Sequence, residues 1–219
     1  RPADMFETVA RDLSAQLGQL QRGRETIRLI DATHLLAGRR IGEWSGTGGV
    51  KLHMMYELGS ERPVCFAVTP KRVNDIVAAK AMPVEPGATY VFDKGYYHFA
   101  FWAKIDACGS RFVTRLKANS PVHVNERRDV AQGGNIVFDH TGRLNERLMS
   151  QHRNPYAKPV RVIGIRLDSA RQITLLSNDL ESPAEEIASL YKMRWQIELF
   201  FKWIKQNLKL AHFLGTSRN

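Results

Sequence analysis

Residues 26–33 read Thr-Ile-Arg-Leu-Ile-Asp-Ala-Thr, and the predicted fold is built outward from this stretch. The β-branched and aliphatic residues predict a strand, and Asp31 is expected near its end. Two further strands are predicted over residues 50–58 and 63–69, joined by a turn at residues 59–61. Because the links between these three strands are short, the sequence predicts an antiparallel meander.

Beyond the meander, apolar helices and buried strands alternate. The predicted elements are a helix over residues 74–82, a strand over 89–93, a helix over 96–107 and a strand over 111–117. Asp93 ends the strand over 89–93 and Gly95 follows it closely. This order of elements predicts an α/β fold with a mixed sheet flanked by helices.

Two regions differ from this core pattern. Residues 3–20 show apolar residues at helical spacing, so residues 1–25 are predicted to be a helical segment that remains from a preceding region. Residues 118–180 contain short β-rich pieces separated by turn residues, which predicts an inserted β-rich subdomain. The main domain would then consist of residues 26–117 and 181–215.

The final predicted element is a long helix from residue 183 to about residue 209. Ser182 would be its N-cap, with Pro183 at the first helical position and Glu185 at the third. At about 100° per residue, one arc of roughly 80° carries a polar stripe. The residues of this polar stripe are Tyr191, Arg194, Glu198, Lys202, Lys205 and Lys209. The rest of the circumference is apolar, which predicts a helix that is mostly buried. Alternatively, Glu198 only pairs with Arg194 and Lys202 and supports the helix.

Composition and charge limit the classes of function. Of the 219 residues, 43% are apolar and 25% are charged, as in a folded protein. No apolar run approaches the roughly 20 residues of a membrane span, and no signal peptide is visible, so we expect a cytoplasmic protein without a membrane partner. The net charge is +10, and half of the excess lies in residues 191–219. This favours a polyanion such as nucleic acid, the alternative being a solvated basic face.

Three carboxylates indicate a chemistry. If the strands that carry Asp31 and Asp93 are neighbours, these side chains would lie side by side, although a strand-end Asp is often only a turn former. Grouped carboxylates repel one another unless a cation joins them, and oxygen ligands suit Mg²⁺ or Mn²⁺. Together with Glu198 they could hold two ions about 3.5–4 Å apart, the arrangement for in-line phosphoryl transfer.

These residues carry a family resemblance. Tyr191, Arg194, Glu198 and Lys205 reproduce the spacing Tyr-x2-Arg-x3-Glu-x6-Lys, and the sequence Asp-Lys-Gly-Tyr begins at Asp93. In these motifs the chain resembles the insertion-sequence-four family of bacterial DDE transposases. The resemblance implies a ribonuclease H-like fold with a β-rich insertion before the last catalytic helix.

The resemblance also implies roles and partners. Asp31, Asp93 and Glu198 would be the catalytic metal ligands, holding two Mg²⁺ or Mn²⁺ ions. Arg194 and Lys205 would contact DNA near the cleaved phosphate, with Tyr191 helping to position it. The stripe geometry adds Lys202 and Lys209 to these DNA contacts. The expected partner is double-stranded DNA, both transposon ends and target, and we expect a homodimer in the assembled complex.

The implied reaction cuts the transposon ends and joins the freed 3′-hydroxyl to target DNA. Two alternatives stay open at this point. The first is a ribonuclease H-like nuclease that cuts without strand transfer. The second is a catalytically inactive DNA-binding fragment.

Overall fold

A computed structural model of the chain describes residues 26–36, 49–118, 120–146, 153–168 and 171–207. The helix predicted over residues 3–20 and the side chain of Lys209 lie outside these residues. Contacts divide the chain into two compact units. The first unit is Arg1–Met82 with Gln196–Asn219, and the second unit is Pro83–Trp195.

The described residues form both strands and helices, as the predicted α/β class requires. The strands are β1 Ile27–Leu36, β2 Gly49–Glu57, β3 Arg62–Pro70, β4 Thr89–Phe92, β5 Arg111–Arg115, β6 Val122–Arg128, β7 Ile136–Leu144, β8 Val160–Arg166 and β9 Gln172–Ser177. The α-helices are α1 Asp75–Ala81, α2 Phe99–Ala107, α3 Ala184–Met193 and α4 Trp195–Asn207.

The sheet of the first unit is the predicted antiparallel meander, in which β2 pairs with both β1 and β3. Strand β1 continues past Asp31 to Leu36 and stays paired with β2 along that length. Asp31 therefore lies mid-strand, opposite Met54, and the prediction that it ends the strand was wrong. The physical reason is that Leu35 and Leu36 continue the pairing, opposite Val50 and Gly49.

Successive β2 side chains point to opposite faces of the sheet in the first unit, and each face meets a helix. On one face, the ammonium group of Lys51 donates to the carboxylate of Asp75, the first residue of α1, at 2.8 Å. On the other face, the rings of Tyr56 and Phe200, a residue of α4, have centroids 5.0 Å apart. The side-chain alternation of one strand thus fixes a helix on each face of this sheet.

In the second unit, β4 and β5 are parallel and α2 connects them. Strand β9 joins the other edge of β5, and β8, β7 and β6 follow in antiparallel order. The predicted β-rich region therefore supplies four strands to the same sheet as β4 and β5. Its predicted boundaries at residues 118 and 180 stay a prediction. Aromatic rings fill the core, with Phe92, Trp102 and Phe112 fully buried.

The helix predicted over residues 96–107 is shorter than expected. The chain first makes a 3₁₀ turn at Lys94–Tyr96, and α2 begins only at Phe99. His98 caps this helix, because its Nδ1 accepts a hydrogen bond from the backbone N–H of Phe101 at 3.3 Å. A residue to which the sequence assigned no role therefore determines where α2 starts.

Ser182 does not cap α3, contrary to the prediction. Pro183 is the residue before the helix, and the Ser182 hydroxyl donates to the carboxylate of Asp179 at 2.6 Å. Asp179 also accepts hydrogen bonds from the backbone N–H groups of Glu181 and Ser182, both at 3.0 Å. Because this turn occupies the serine side chain, the helix starts one residue later than predicted.

The long helix predicted from residue 183 to residue 209 is interrupted at Arg194. Helix α3 ends at Met193 and α4 begins at Trp195. The backbone N–H of Arg194 donates to the carbonyl of Tyr191 at 3.1 Å, three residues back instead of four. A bond of this type tightens the turn and ends the α-helical pattern. The polar stripe therefore does not run along one continuous helix.

Helix α4 is also less buried than the sequence predicted. Its buried side chains are Ile197, Phe201 and Ile204, whereas Leu199 and Trp203 are 43% and 52% exposed. The prediction of a helix buried over most of its circumference was wrong, because only one face of α4 packs against its unit.

Among the described residues, the longest apolar helical stretch falls short of what would be needed to cross a membrane.

Candidate functional site

A pocket of about 440 Å³ lies in the first unit, between β1 and α4. Two of the three predicted carboxylates, Asp31 and Glu198, line this pocket together. The remaining lining residues are Ala32 and Thr33 of β1 and Phe201, Lys202, Lys205 and Gln206 of α4. The structure therefore brings together four of the predicted site residues within one unit.

Local periodicity explains how these side chains meet. On β1, Asp31 and Thr33 are two residues apart and lie on the same face of the strand. On α4, Glu198, Lys202 and Lys205 follow at intervals of four and three residues, which places them on one side of the helix. Phe201, 4% exposed, lies among the buried residues of the helix.

The charges of the pocket are balanced and partly exposed. Asp31 and Glu198 are half-buried, whereas Lys202 and Lys205 are exposed. One oxygen of Asp31 accepts a hydrogen bond from the backbone N–H of Ala32 at 2.8 Å, which restricts its orientation. Carboxylates and ammonium groups in one partly open pocket can bind a cation and an anion at the same time.

Asp93, the third predicted carboxylate, belongs to the second unit and directly follows β4. Its backbone carbonyl accepts hydrogen bonds from the hydroxyl of buried Thr114 at 3.4 Å and from the N–H of Tyr96 at 3.0 Å. The hydroxyl of Tyr191, on α3, donates to its carboxylate at 3.0 Å. Both the backbone and the side chain of Asp93 are therefore held by named partners.

The surroundings of Tyr191 keep its hydroxyl protonated, so that it can donate a hydrogen bond. Burial, together with the negative charge of Asp93, raises the pKa of Tyr191 to about 12. The hydroxyl therefore stays protonated at neutral pH and can donate to the carboxylate. The guanidinium carbon of Arg194 lies 5.7 Å from the centre of the Tyr191 ring, a cation–π contact within the second unit.

The predicted site residues thus form two groups. Asp31, Glu198, Lys202 and Lys205 meet in the first unit, and Asp93, Tyr191 and Arg194 meet in the second. In the part of the chain that the structure describes, no three His, Cys, Asp or Glu side chains are grouped to hold a metal ion. The three-carboxylate metal site and the DNA-contacting roles stay predictions, and Lys209 lies outside the described residues.

Sequence reasoning missed three features of these groups. Thr33 and Gln206 also line the pocket, and strand and helix periodicity could have found them from Asp31 and Lys202. The hydrogen bond from Tyr191 to Asp93 had no such signal, because no local period links residues so far apart in the sequence.

Comparisons with known proteins agree with the motifs. The sequence profile of the family described as "Transposase DDE domain" matches residues 22–219. A Sinorhizobium fredii protein that bears the name of a transposase, y4zB, is 39% identical over 100% of this chain and 63% of its own length. The transposase for insertion sequence element IS231B of Bacillus thuringiensis subsp. berliner is 23% identical over 86% of this chain and 51% of its own.

A solved structure shows the same fold. The piggyBac transposase, in a synaptic complex with hairpin DNA, superposes on 81% of this chain and 40% of its own, with a TM-score of 0.50 and 12% identity. This likeness confirms the predicted ribonuclease H-like fold class. The chain spans between half and two thirds of the length of these curated relatives. The predicted resemblance to DDE transposases is confirmed, and the chain belongs to the Transposase DDE domain family.

Proposed function

We propose that this chain contributes the catalytic centre of a DNA transposase, which cuts transposon ends and joins the freed 3′-hydroxyl to target DNA. The observation that carries the proposal is the pocket in which Asp31 and Glu198 lie together with Lys202 and Lys205. Acidic and basic side chains in one open pocket suit a reaction at a phosphodiester. The basic side chains can bind its anionic oxygens, and the acidic side chains suit a reaction in which the attacking water or hydroxyl must lose a proton.

The donor chemistry of the pocket fits divalent metal ions. Enzymes of this family generally use such ions. Asp31 and Glu198 supply the carboxylate oxygens that Mg²⁺ and Mn²⁺ prefer. Asp93 is the third proposed ligand. Two bound ions would supply charge stabilisation for the attacking and leaving oxygens of an in-line displacement.

The chain's own side chains would bind and orient the DNA. Lys202 and Lys205 would contact non-bridging oxygens of the reacting phosphate, where negative charge increases during the displacement. In the second unit, Tyr191 would hold one oxygen of the Asp93 carboxylate, which leaves the other oxygen for metal binding. Arg194, next to the Tyr191 ring, would contact a neighbouring phosphate.

Two displacements of the same kind make up the proposed reaction. In the first, a water oxygen loses a proton and bonds to phosphorus while the bond from phosphorus to the 3′-oxygen breaks. The departing 3′-oxygen takes up a proton and becomes the free 3′-hydroxyl, and the other strand end keeps the phosphate. In the second, that hydroxyl loses its proton and attacks a target phosphate, whose own 3′-oxygen departs. Neither step requires an oxidant or a reductant.

Double-stranded DNA is the partner that this reaction requires, and the neighbouring piggyBac structure contains hairpin DNA. The net charge of +10 is consistent with such a partner. A homodimer in the assembled complex and a cytoplasmic location remain predictions.

The proposal is tested with labelled transposon-end DNA and a supercoiled target plasmid in the presence of Mg²⁺. Asp31→Asn, Asp93→Asn and Glu198→Gln should each abolish cleavage and joining but retain duplex binding. Glu186→Gln, at an exposed acidic residue of α3, is the matched control and should keep activity. Normal cleavage by any of the three variants would remove that residue from the site.

The same assay with the wild-type protein distinguishes the proposed transposase from the two alternative functions. Cleavage without joining under conditions that support both steps would identify a nuclease. Duplex binding without metal-dependent cleavage would identify a catalytically inactive DNA-binding protein.

A further inference from the structure

Three aromatic rings form a ladder in the first unit that leads from the core to the surface. The ring of Tyr56, on β2, has its centroid 5.0 Å from that of Phe200, on α4. The rings of Phe200 and Trp203 are stacked, with centroids 6.0 Å apart and an angle of 16° between their planes. Tyr56 is buried, whereas Trp203 is 52% exposed. In this aromatic ladder, Phe200 lies against one side of the Trp203 indole, and the outer side of the indole is open to solvent.

The aromatic ladder lies on the same face of the sheet as the pocket. In the pairing of β1 with β2, Asp31 lies opposite Met54, and Leu29 lies opposite Tyr56. Directly paired residues point to the same face of a sheet, and so do residues two apart on one strand. The side chains of Asp31 and Tyr56 therefore both point to the face that α4 covers.

Trp203 adjoins the pocket on the surface of α4. Residues three or four apart on a helix are neighbours on its surface. Gln206, three residues after Trp203, lines the pocket, and so does Lys202, three residues after Leu199. Leu199 is itself 43% exposed, and the ammonium groups of Lys202 and Lys205 are exposed at the same border. The apolar surface of Leu199 and Trp203 is therefore continuous with a positively charged rim of the pocket.

The chemistry of this surface fits a nucleotide. An aromatic face beside ammonium groups matches a flat base joined to an anionic phosphate, because bases stack on aromatic side chains while basic side chains bind the backbone. The bases of a duplex are stacked on one another and offer only their edges to a protein. The open side of Trp203 therefore suits a base that is not paired. An apolar polypeptide would cover Leu199 and Trp203 but would leave the charges of Lys202 and Lys205 unmatched.

We propose that Trp203 stacks on an unpaired base next to the phosphate that reacts in the pocket, and that Leu199 contacts the sugar of the same nucleotide. This inference rests on the proposed function, because it assumes that a DNA strand enters the pocket. The contact would not depend on base identity, since every base has a flat π-face. The stacked base would keep the strand apart from its complement, so that its phosphate can reach Lys202 and Lys205.

The test measures how tightly the full chain binds two duplexes, in chelator so that no cleavage occurs. Both carry the same transposon end with 2-aminopurine next to the reacting phosphate, a base whose fluorescence falls when it stacks. In one duplex this base lies opposite thymine, and in the other it lies opposite an abasic site and is unpaired. Wild type should bind the unpaired duplex more tightly and quench its fluorescence, because no base pair has to be opened before the base can stack on Trp203.

Trp203→Leu should weaken binding of the unpaired duplex by about 5- to 150-fold, the contribution of one stacked base, and should restore the fluorescence. Trp203→Phe keeps a smaller ring and should lose less. Neither variant should change the log–log salt slope of binding, whereas Lys202→Gln should reduce it by about 0.9, because it removes a phosphate contact. Phe66→Leu, at an exposed aromatic residue of β3 outside the pocket lining, is the matched control and should bind like wild type. Thermal melts check that every variant is folded.

The outcomes separate this inference from the proposed function. If the wild-type protein binds neither duplex, the proposed function is wrong and the inference is wrong with it. If Lys202→Gln reduces the salt slope while Trp203→Leu binds and quenches like wild type, DNA occupies the pocket but no base stacks on Trp203. If Trp203→Leu instead lowers the melting temperature or changes the oligomeric state, with an unchanged preference for the unpaired duplex, this surface packs against protein and the inference is overturned.

Discussion

The hydroxyl of Tyr191 donates a hydrogen bond to the carboxylate of Asp93 at 3.0 Å, across almost a hundred residues of sequence. The sequence assigned Tyr191 to DNA contact, whereas this bond indicates that it positions a predicted metal ligand. Because burial and the charge of Asp93 raise the pKa of Tyr191 to about 12, the hydroxyl donates throughout the neutral pH range.

Tyr191→Phe removes this donor and keeps the ring. A hydrogen bond to a charged group contributes about 1.5–3 kcal/mol, so we expect the cleavage rate to fall by about 10- to 100-fold, while duplex affinity changes little. Tyr156→Phe is the matched control, because Tyr156 donates to Asp106 in the same unit but outside the site. A loss of duplex affinity with an unchanged rate in bound complexes would instead support direct DNA contact by Tyr191.

Binding of Mg²⁺ should raise the melting temperature of the protein. A ligand that binds only the folded state at ten times its Kd adds about 1.4 kcal/mol, or roughly 3–6 °C in Tm for a chain of this size. We expect Mg²⁺ to produce such a shift in wild type and in Glu186→Gln, and a smaller one in Glu198→Gln. Melts in chelator, in Mg²⁺ and in NaCl of equal ionic strength measure it. A wild-type shift no larger than that in NaCl would show that the three carboxylates are not a preformed metal site in this chain.

Gly164 is a packing requirement of the second unit. In the pairing of β7 with β8 it lies opposite Phe138, whose ring occupies the space that a Cβ would fill. Gly164→Ala should therefore cost about 1–3 kcal/mol, seen as a lower midpoint in urea. Gly59→Ala, in a turn with open space at that position, should cost much less. The double variant with Phe138→Ala should be non-additive, and additive losses would contradict the contact.

Asp179 should make stability depend on acid pH. Burial acts to raise its pKa, but hydrogen bonds from Ser182 and Glu181 and the guanidinium of Arg111 outweigh burial and lower it to about 2. Since the folded-state pKa is below the unfolded value of about 3.9, the carboxylate stabilises the fold above pH 4 by about 2 kcal/mol. This stabilisation is lost as the pH falls towards 2.

Asp179→Asn should therefore be less stable at pH 7 and should lose less stability between pH 5 and pH 2 than wild type. Urea unfolding at several pH values measures both effects. Asp129→Asn, at an exposed residue, is the control and should follow the wild-type curve. If Asp179→Asn and wild type lose stability in parallel on acidification, another carboxylate governs this pH range.

Much of the fold could be read from local patterns. The second and third strands of the meander and the helix over Asp75–Ala81 were predicted within one residue at each end, because alternating or periodic apolar residues directly reflect burial. The first strand was predicted within one residue at its start but continues three residues past its predicted end. Errors in the predicted helix ends occurred where a side chain that follows a local capping rule instead bonds to a residue outside the helix. Ser182 is a good N-cap in isolation, but its hydroxyl is bonded to Asp179.

The site was only partly predictable, for a similar reason. Spacing on one helix correctly grouped Glu198, Lys202 and Lys205, since helical periodicity does not depend on the rest of the fold. The interruption at Arg194 is marked by one backbone hydrogen bond, from its N–H to the carbonyl of Tyr191. The sequence around Arg194 contains no proline or glycine that would predict the end of a helix there. The partner of Asp93 was not predictable, because only the packing of α3 brings Tyr191 to it.

The first unit is discontinuous in sequence, because the chain leaves it at Met82 and returns at Gln196. Asp31 is therefore made before the second unit, whereas Glu198 follows only after the whole of Pro83–Trp195 has been translated. At about 5–20 residues per second this delay is on the order of ten seconds. During that interval the second unit, which is continuous in sequence, can fold on the ribosome. Helix α4, which lines one side of the pocket, has not yet been made. The pocket of Asp31 and Glu198 is thus complete in a nascent chain only once nearly all of the described residues have emerged.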